Sequence, residues 1–278
     1  MENKLIFKIC WLVFILGACL IGCDNNNKKH MNSPIQIEWC RIPGGDFLMG
    51  RSKGERLHWE GPAHLVYLDE FFISKYETTD NQFEVFCKAT GRQKPNRDHV
   101  ESKEYPVVDI SWLDAMAFCK WLSQMTGEHI SLPTEAQWEK AARGGTTGDN
   151  YVYQSEDMPV AGFPGHPIEL LELYEWFAFN SNEDYHPVGM LKPNPFGIYD
   201  ILGNVSEWCL DLFDEDYYQV SPKNNPQGPI KNENGFRVIR GGNYSTDYKP
   251  LRCSYRRGSY PNVRGGVGFR IVKNLNKS

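Results

Sequence analysis

The chain has 278 residues, a formal net charge of −5, 13% aromatic residues and a mean hydropathy of −0.52. That length suits one large or two small globular domains, and a mildly acidic balance with no long basic run argues against nucleic acid as the main partner. Abundant Gly, Pro and Trp point to a loop-rich fold held by aromatic packing and away from a helix bundle.

Residues 1–22 read as an export signal. Lys4 and Lys8 give a positive start, Ile9 to Ile21 is apolar, and Gly22 precedes Cys23. A small residue before cysteine after such a run is the pattern of a bacterial lipoprotein signal. Cleavage before Cys23 and acylation of its sulfur would follow. The apolar run falls short of the roughly 20 residues that span a bilayer. Cys23 and the polar residues up to 34 then form a lipidated tether. The expected location is the bacterial cell envelope, anchored by lipid and facing the periplasm or exterior, with the membrane as one partner.

Of eight cysteines, Cys10 and Cys19 leave with the signal and Cys23 carries the lipid. Cys40, Cys87, Cys119, Cys209 and Cys253 remain. An odd number outside the cytoplasm leaves at least one unpaired. No CxxC and no Cys/His cluster with zinc spacing occurs. Cys87 and Cys119 sit on apolar helix faces, where cysteine is usually a small core residue.

The domain proper spans 35–278. Residues 37–42 read as a strand, Pro43 to Asp46 as a turn and 47–50 as a second strand. Residues 65–74 alternate well enough for one further strand. Three helix starts follow. Thr79 precedes Gln82 by three, with Phe83, Phe86 and Cys87 on one face and Gly91 as the stop. Ser111 precedes Asp114 likewise, with Ala115, Phe118, Cys119 and Leu122 at helical spacing and Gly127 beyond. Thr134 precedes Gln137, with Trp138, Ala141 and Ala142 as the face and Gly144-Gly145 as the end.

Past Gly145 the pattern dissolves. Residues 146–193 read as loop with a short helix at 168–177. Residues 211–236 form a polar loop rich in Pro and Asn. Residues 236–240, 252–256 and 267–272 read as short strands. Strands at both ends with helices between them make an α+β domain. No repeat and no second domain is visible.

The stretch 194–208, NPFGIYDILGNVSEW, combines a turn, an apolar-aromatic run and closely spaced oxygen groups. Hard cations such as calcium take six to eight oxygens, carboxylate and carbonyl together. One reading is a calcium site at Asp200, Gly203, Val205 and Glu207. The other is a strand, a tight turn and a second strand, with Glu207 paired to an arginine.

Ordered motifs along the chain resemble the formylglycine-generating enzyme family, the sulfatase-modifying factor domain. They are PGGDFLMG at 43–50, YETTDNQFEVFCKATG at 76–91, YPVVDISWLDAMAFCKWL at 105–122, LPTEAQWEKAARGG at 132–145, the 194–208 stretch, RVIRGGNY at 237–244, RCSYR at 252–256 and GFRIV at 268–272. The resemblance implies an α+β fold similar to C-type lectins, low in secondary structure. It also implies calcium at Asp200, Gly203, Val205 and Glu207. A second family site near Asn180 is not expected, because the segment up to Pro187 looks shortened.

The family's namesake oxidises a sulfatase cysteine to formylglycine with two copper(I)-binding cysteines after a GG(S/N)(Y/W) motif. Soft thiolates suit copper(I). Here the expected positions are Thr246 and about Leu251, and Cys253 matches a later cysteine of the RCxxR segment. The serine of GGS is Asn243, and the tryptophan of GNxWEW is Ser206. A hydroxyl and an alkyl chain cannot replace two thiolates, so copper oxidase chemistry is not expected. The iron-dependent sulfoxide synthases on this fold need a His-rich motif, and none of the seven histidines is spaced for a helix-face ligand pair.

The expected function is therefore that of a binding or assembly component of the envelope, with a peptide, protein or glycan partner. The alternative is a formylglycine-generating or other oxidoreductase. The family cleft holds an extended peptide, and its lining would include Asn243, Tyr244, Asp247, Tyr248, Arg252, Arg256 and Arg257. Tyrosine and arginine are typical contact residues. Arg240, Arg252 and Arg270 also read as internal partners for carboxylates such as Glu135, Glu139 and Glu207.

Overall fold

The computed structural model describes residues 33–51, 58–95, 104–146 and 168–275. The export signal, Cys23 and nearly all of the tether lie outside the described residues.

Residues 37–50 give two strands that do not pair with each other. β1 (Trp39–Ile42) pairs with β4 (Phe71–Ser74), and β2 (Gly45–Met49) pairs with β3 (His64–Leu68). The run 65–74, expected as one strand, is thus two. The cause is a parity change. Val66 and Leu68 face inward from β3, whereas Phe71 and Ile73 face inward from β4. Side chains alternate with period two, so an inward face that skips from 68 to 71 needs a break in the strand. Asn225 holds that break, accepting from the Asp69 amide at 2.9 Å and donating to its carboxylate at 3.0 Å.

β4 lies between β1 and β10 (Val272–Asn274), and β10 pairs with β5 (His129–Ser131), all antiparallel. A third sheet runs β8 (Arg256–Ser259), β7 (Arg237–Arg240), β6 (Ser206–Leu212), β9 (Val267–Gly268), with β6 and β9 parallel. Residues 252–255 turn instead of extending, and 267–272 is broken between β9 and β10. Residues 194–202 form turns, so the 194–208 stretch contributes a strand only from Ser206.

The helices start and stop where their caps are. α1 (Asp80–Thr90) and α3 (Glu135–Arg143) carry complete capping boxes at Thr79/Gln82 and Thr134/Gln137. Ser111 caps α2 (Trp112–Thr126) by accepting from the Asp114 amide. Gly91, Gly127 and Gly144 end them in the left-handed region at φ 69°, 71° and 59°, where a side chain would strain the backbone. Each cap is worth about 1 kcal/mol. The helix expected at 168–177 is confined to α4 (Ile168–Leu171).

The α1 and α2 faces meet through Phe83, Phe86, Phe118 and Trp121, with Phe269 packed edge-on. Cys40, Cys87, Cys119, Cys209 and Cys253 are all buried free thiols, which bears out Cys87 and Cys119 as core residues. No helix among the described residues is long and apolar enough to cross a membrane.

α3 is buried along its whole length, including Glu135, Glu139, Lys140 and Arg143. Charges survive burial only when paired and hydrogen-bonded. Arg256 grips Glu135 with bonds of 2.6 and 2.7 Å. Glu139 joins Arg143 at 2.9 Å and also Arg240. Burial alone would raise the Glu139 pKa, but Arg143 and Arg240 override it and hold the carboxyl below its usual range.

Candidate functional site

The loop before β6 is shaped by its own side chains. Asn194 accepts from the amides of Phe196 and Ile198 at 3.0 and 3.1 Å and donates to the Ala141 carbonyl at 2.8 Å. Asp200 and Asn204 adopt left-handed backbone at φ 56° and 55°, which short polar residues tolerate. At Gly203 a Cβ would lie 2.5 Å from the Trp176 carbonyl oxygen, so only glycine fits. Glu77, just before α1, anchors the next turn by accepting from Asn204 Nδ2 at 2.8 Å and from the Val205 amide at 3.1 Å.

These contacts gather three buried carboxylates, Glu77, Asp200 and Glu207, around a single guanidinium, Arg270. Arg270 Nε lies 2.8 Å from each Glu207 oxygen, and Trp138 Nε1 donates to the same carboxylate at 2.7 Å. Burial pushes the Asp200 carboxyl up to about 6, and burial with the neighbouring carboxylates pushes Glu77 well up. Ionised, the group would carry a net charge of −2, the sum of three carboxylates and one arginine.

The four residues expected at a calcium site differ in their state. Asp200 Oδ2 accepts from the Gly189 amide at 2.7 Å, whereas its buried Oδ1 has no partner. The carbonyls of Leu202 and Asn204 accept from Gly242 and Tyr244; among the described residues no loop hydrogen bond takes those of Gly203 or Val205. Glu207 is engaged by Arg270, so the arginine pairing considered for it is present. The orphaned Asp200 oxygen amid three clustered carboxylates fits an oxygen-liganded divalent cation. Side chains alone do not make the site: among the described residues no three His, Cys, Asp or Glu converge as metal ligands. Near the second family position, Asn180 is a turn former, accepting from the Phe177 amide and donating to the Glu175 carbonyl at 2.9 Å each.

The positions where the oxidase thiols were expected have other duties. Thr246 Oγ1 donates to the Asn243 carbonyl at 2.9 Å and accepts from its amide at 3.0 Å, closing a tight turn. Leu251 is wholly buried. Ser206, in place of tryptophan, donates to the Gly242 carbonyl at 3.0 Å. Burial pushes the Cys253 thiol up to about 12. Copper(I) needs accessible thiolates, and these residues do not fit it.

The expected cleft residues divide. Asn243, Tyr244 and Tyr248 are half-buried and Asp247 is exposed. Tyr244 packs on Tyr185, which packs on Tyr105, with ring centroids 5.7 Å apart in each pair. Trp176 stacks on His186 at 3.8 Å. Arg252 and Arg256, in contrast, are interior: Arg252 is paired with Glu60, and Arg256 with Glu135. Their guanidiniums satisfy buried carboxylates and present no cleft surface. Arg257 remains half-buried. Sequence reasoning passed over Glu60, Glu77, Tyr105 and Tyr185. Glu77 and Tyr105 lie inside recognised motifs, and only the folded chain brings them to the site.

Residues 27–275 match the family described as the sulfatase-modifying factor enzyme 1-like domain. A formylglycine-generating enzyme of Streptomyces coelicolor is 31% identical over 287 residues, which cover 84% of this chain and 88% of that protein. The serine/threonine-protein kinase pkn1 of Chlamydia pneumoniae is 31% identical over 266 residues, 87% of this chain but 39% of the kinase. The chain therefore spans about two fifths of the length of these kinase relatives. The chaperone protein LppX of Paenibacillus barcinonensis is 26% identical, with 95% of this chain and 98% of that protein covered. Among solved structures, PvdO from Pseudomonas aeruginosa superposes with a TM-score of 0.73 at 27% identity, covering 85% of this chain and 94% of PvdO.

Proposed function

Because the chain belongs to the sulfatase-modifying factor enzyme 1-like family and holds Thr246 and Leu251 where the oxidases hold thiolates, we propose that it is an envelope lipoprotein that binds a peptide or glycan partner without copper oxidase chemistry. The occupancy of those two positions carries the reading. Thr246 is committed to a turn and Leu251 to the core, and neither side chain carries a thiolate. The lipid anchor at Cys23 rests on the signal pattern, and the likeness to a chaperone protein agrees with a binding or assembly role.

The binding surface is Tyr105 and Tyr244, packed on the buried Tyr185, with the adjoining turn of Asn243, Asp247 and Tyr248. Aromatic side chains supply large contact area at low entropic expense. A structural calcium ion held by the Asp200 and Glu207 carboxylates and the Gly203 and Val205 carbonyls would neutralise the buried charge beneath this surface. The ion supplies rigidity; the chain's tyrosines and turn do the binding.

The test is affinity capture with the acylated protein and its Tyr244→Ala variant. A partner retained by the parent and lost by the variant supports the reading. No partner above background, or the same partners with both, contradicts it.

A further inference from the structure

β7 and β8 carry two arginines that stand outside the buried ion pairs. Side chains alternate between the two faces of a strand. Arg240 and Arg256 lie opposite each other and point toward α3, where Glu139 and Glu135 hold them. Arg237 and Ile239 therefore point to the other face, and so do their partners across the ladder, Ser259 and Arg257. α2 begins over this face: the Arg237 guanidinium lies 3.8 Å from the centre of the Trp112 ring. None of the tyrosines or turn residues proposed for peptide or glycan binding belongs to either strand.

Arg237 and Arg257 are half-buried, and neither is paired with a carboxylate. Arg237 Nη1 donates to the Leu210 carbonyl at 2.9 Å. The side chains of Arg257 and Ser259 have no hydrogen-bond or ion-pair partner among the described residues. Burial lowers the pKa of both guanidiniums. At Arg256 and Arg270 the Glu135 and Glu207 carboxylates outweigh burial and raise it. The carboxylate that acts on Arg237 is Asp211, which is itself buried and accepts from the Glu135 amide at 2.9 Å.

Charge held away from water is costly unless it is paired. Two such arginines on one face, with no acid between them, mark the place of an anion. In an antiparallel ladder, directly opposite side chains start about 5 Å apart and diagonal ones about 7–8 Å, within reach of long side chains. Ser259 stands opposite Arg237, and Arg257 stands diagonal to it.

We propose that this face binds a phosphate monoester. The ester carries a charge of roughly −1.5 to −2 at pH 7 and three strong acceptor oxygens, which two guanidiniums match. A carboxylate, with one charge and two oxygens, is satisfied by a single guanidinium fork. Ser259 adds a neutral donor, and the Trp112 ring steadies Arg237.

The test is calorimetric titration of the full chain in detergent micelles at constant ionic strength. The probes are inorganic phosphate, the peptide acetyl-Gly-phosphoserine-Gly-amide, glycerol 3-phosphate and acetate. The phosphate probes are expected to bind, and acetate at least tenfold more weakly. Which of the phosphopeptide and glycerol 3-phosphate binds better identifies the source of the ester. Arg257→Gln removes a side chain with no partner in the fold and is expected to weaken phosphate binding at least tenfold. Arg237→Lys keeps a cation beside Trp112 but loses the guanidinium fork. It is expected to weaken binding severalfold and serves if the glutamine variant does not fold. No binding of any phosphate probe, acetate binding as tightly as phosphate, or undiminished affinity in either variant would overturn the proposal.

Discussion

Arg270 holds Glu207 by both carboxylate oxygens and, from the same guanidinium, donates to the carbonyls of Ser74 and Tyr199 at 3.2 and 3.0 Å. One side chain thereby joins the end of β4, the turn at Tyr199 and the start of β6. The glutamate of GNVSEW and the arginine of GFR are thus a structural pair.

Breaking this pair should be expensive. Arg270→Met leaves Glu77, Asp200 and Glu207 buried without a counter-charge, and removal of one partner of a buried pair costs about 3–5 kcal/mol. Urea unfolding should show a loss of that size, and a loss under about 1 kcal/mol would contradict the pairing's importance.

The calcium proposal is best probed at Asp200, because Glu207→Ala would also release Arg270. Chelator should lower the melting temperature of the parent and leave Asp200→Asn unmoved. At 100 times the dissociation constant, a folded-state ion is worth about 2.7 kcal/mol. Equal melting of the parent with calcium and with EDTA would refute a structural ion.

Asp211 gives a pH test. Burial first, and then the Glu135 carboxylate, push its folded pKa to about 8 from the ordinary 3.8. The folded form therefore keeps a proton that the unfolded form has released. Stability from this group is full below the unfolded value and is lost as pH rises from about 4 to about 8. Asp211→Asn should flatten that decline in chemical denaturation. Parallel pH profiles for parent and variant would show that Asp211 ionises normally.

The N-caps, glycine stops and cysteine-bearing faces of α1 and α2 were legible because cap, period and stop lie within one short window. The arginine–carboxylate pairing was legible for Arg240, Arg252 and Arg270 as a class. So were the carboxylates Glu135, Glu139 and Glu207, but Glu60 was not, nor which arginine meets which acid: Arg252 reaches Glu60 and Arg256 reaches Glu135, 192 and 121 residues away in sequence. Such long-range pairing leaves no local pattern, which is why Arg252 and Arg256 were both placed in the cleft lining. The β3–β4 break was hidden for a related reason. Residues 65–74 alternate well enough to pass for one strand, and the change of inward parity at Asp69-Glu70, with Asn225 arriving from a distant loop, separates them.

The free thiols should be silent in the folded protein. Cys40, Cys87, Cys119, Cys209 and Cys253 are buried, and burial leads the factors that raise each thiol pKa. A thiol reagent should label them within minutes in denaturant and only slowly in native buffer. Rapid native labelling of Cys253 would place a reactive thiol where the fold puts a core residue.

The most direct test of the central claim is copper(I) titration of the purified protein, followed by oxygen uptake with a cysteine-containing sulfatase peptide. Thr246 and Leu251 predict no stoichiometric copper binding and no formylglycine by mass spectrometry. Stoichiometric binding with formylglycine formation would contradict the account and make the chain an oxidase.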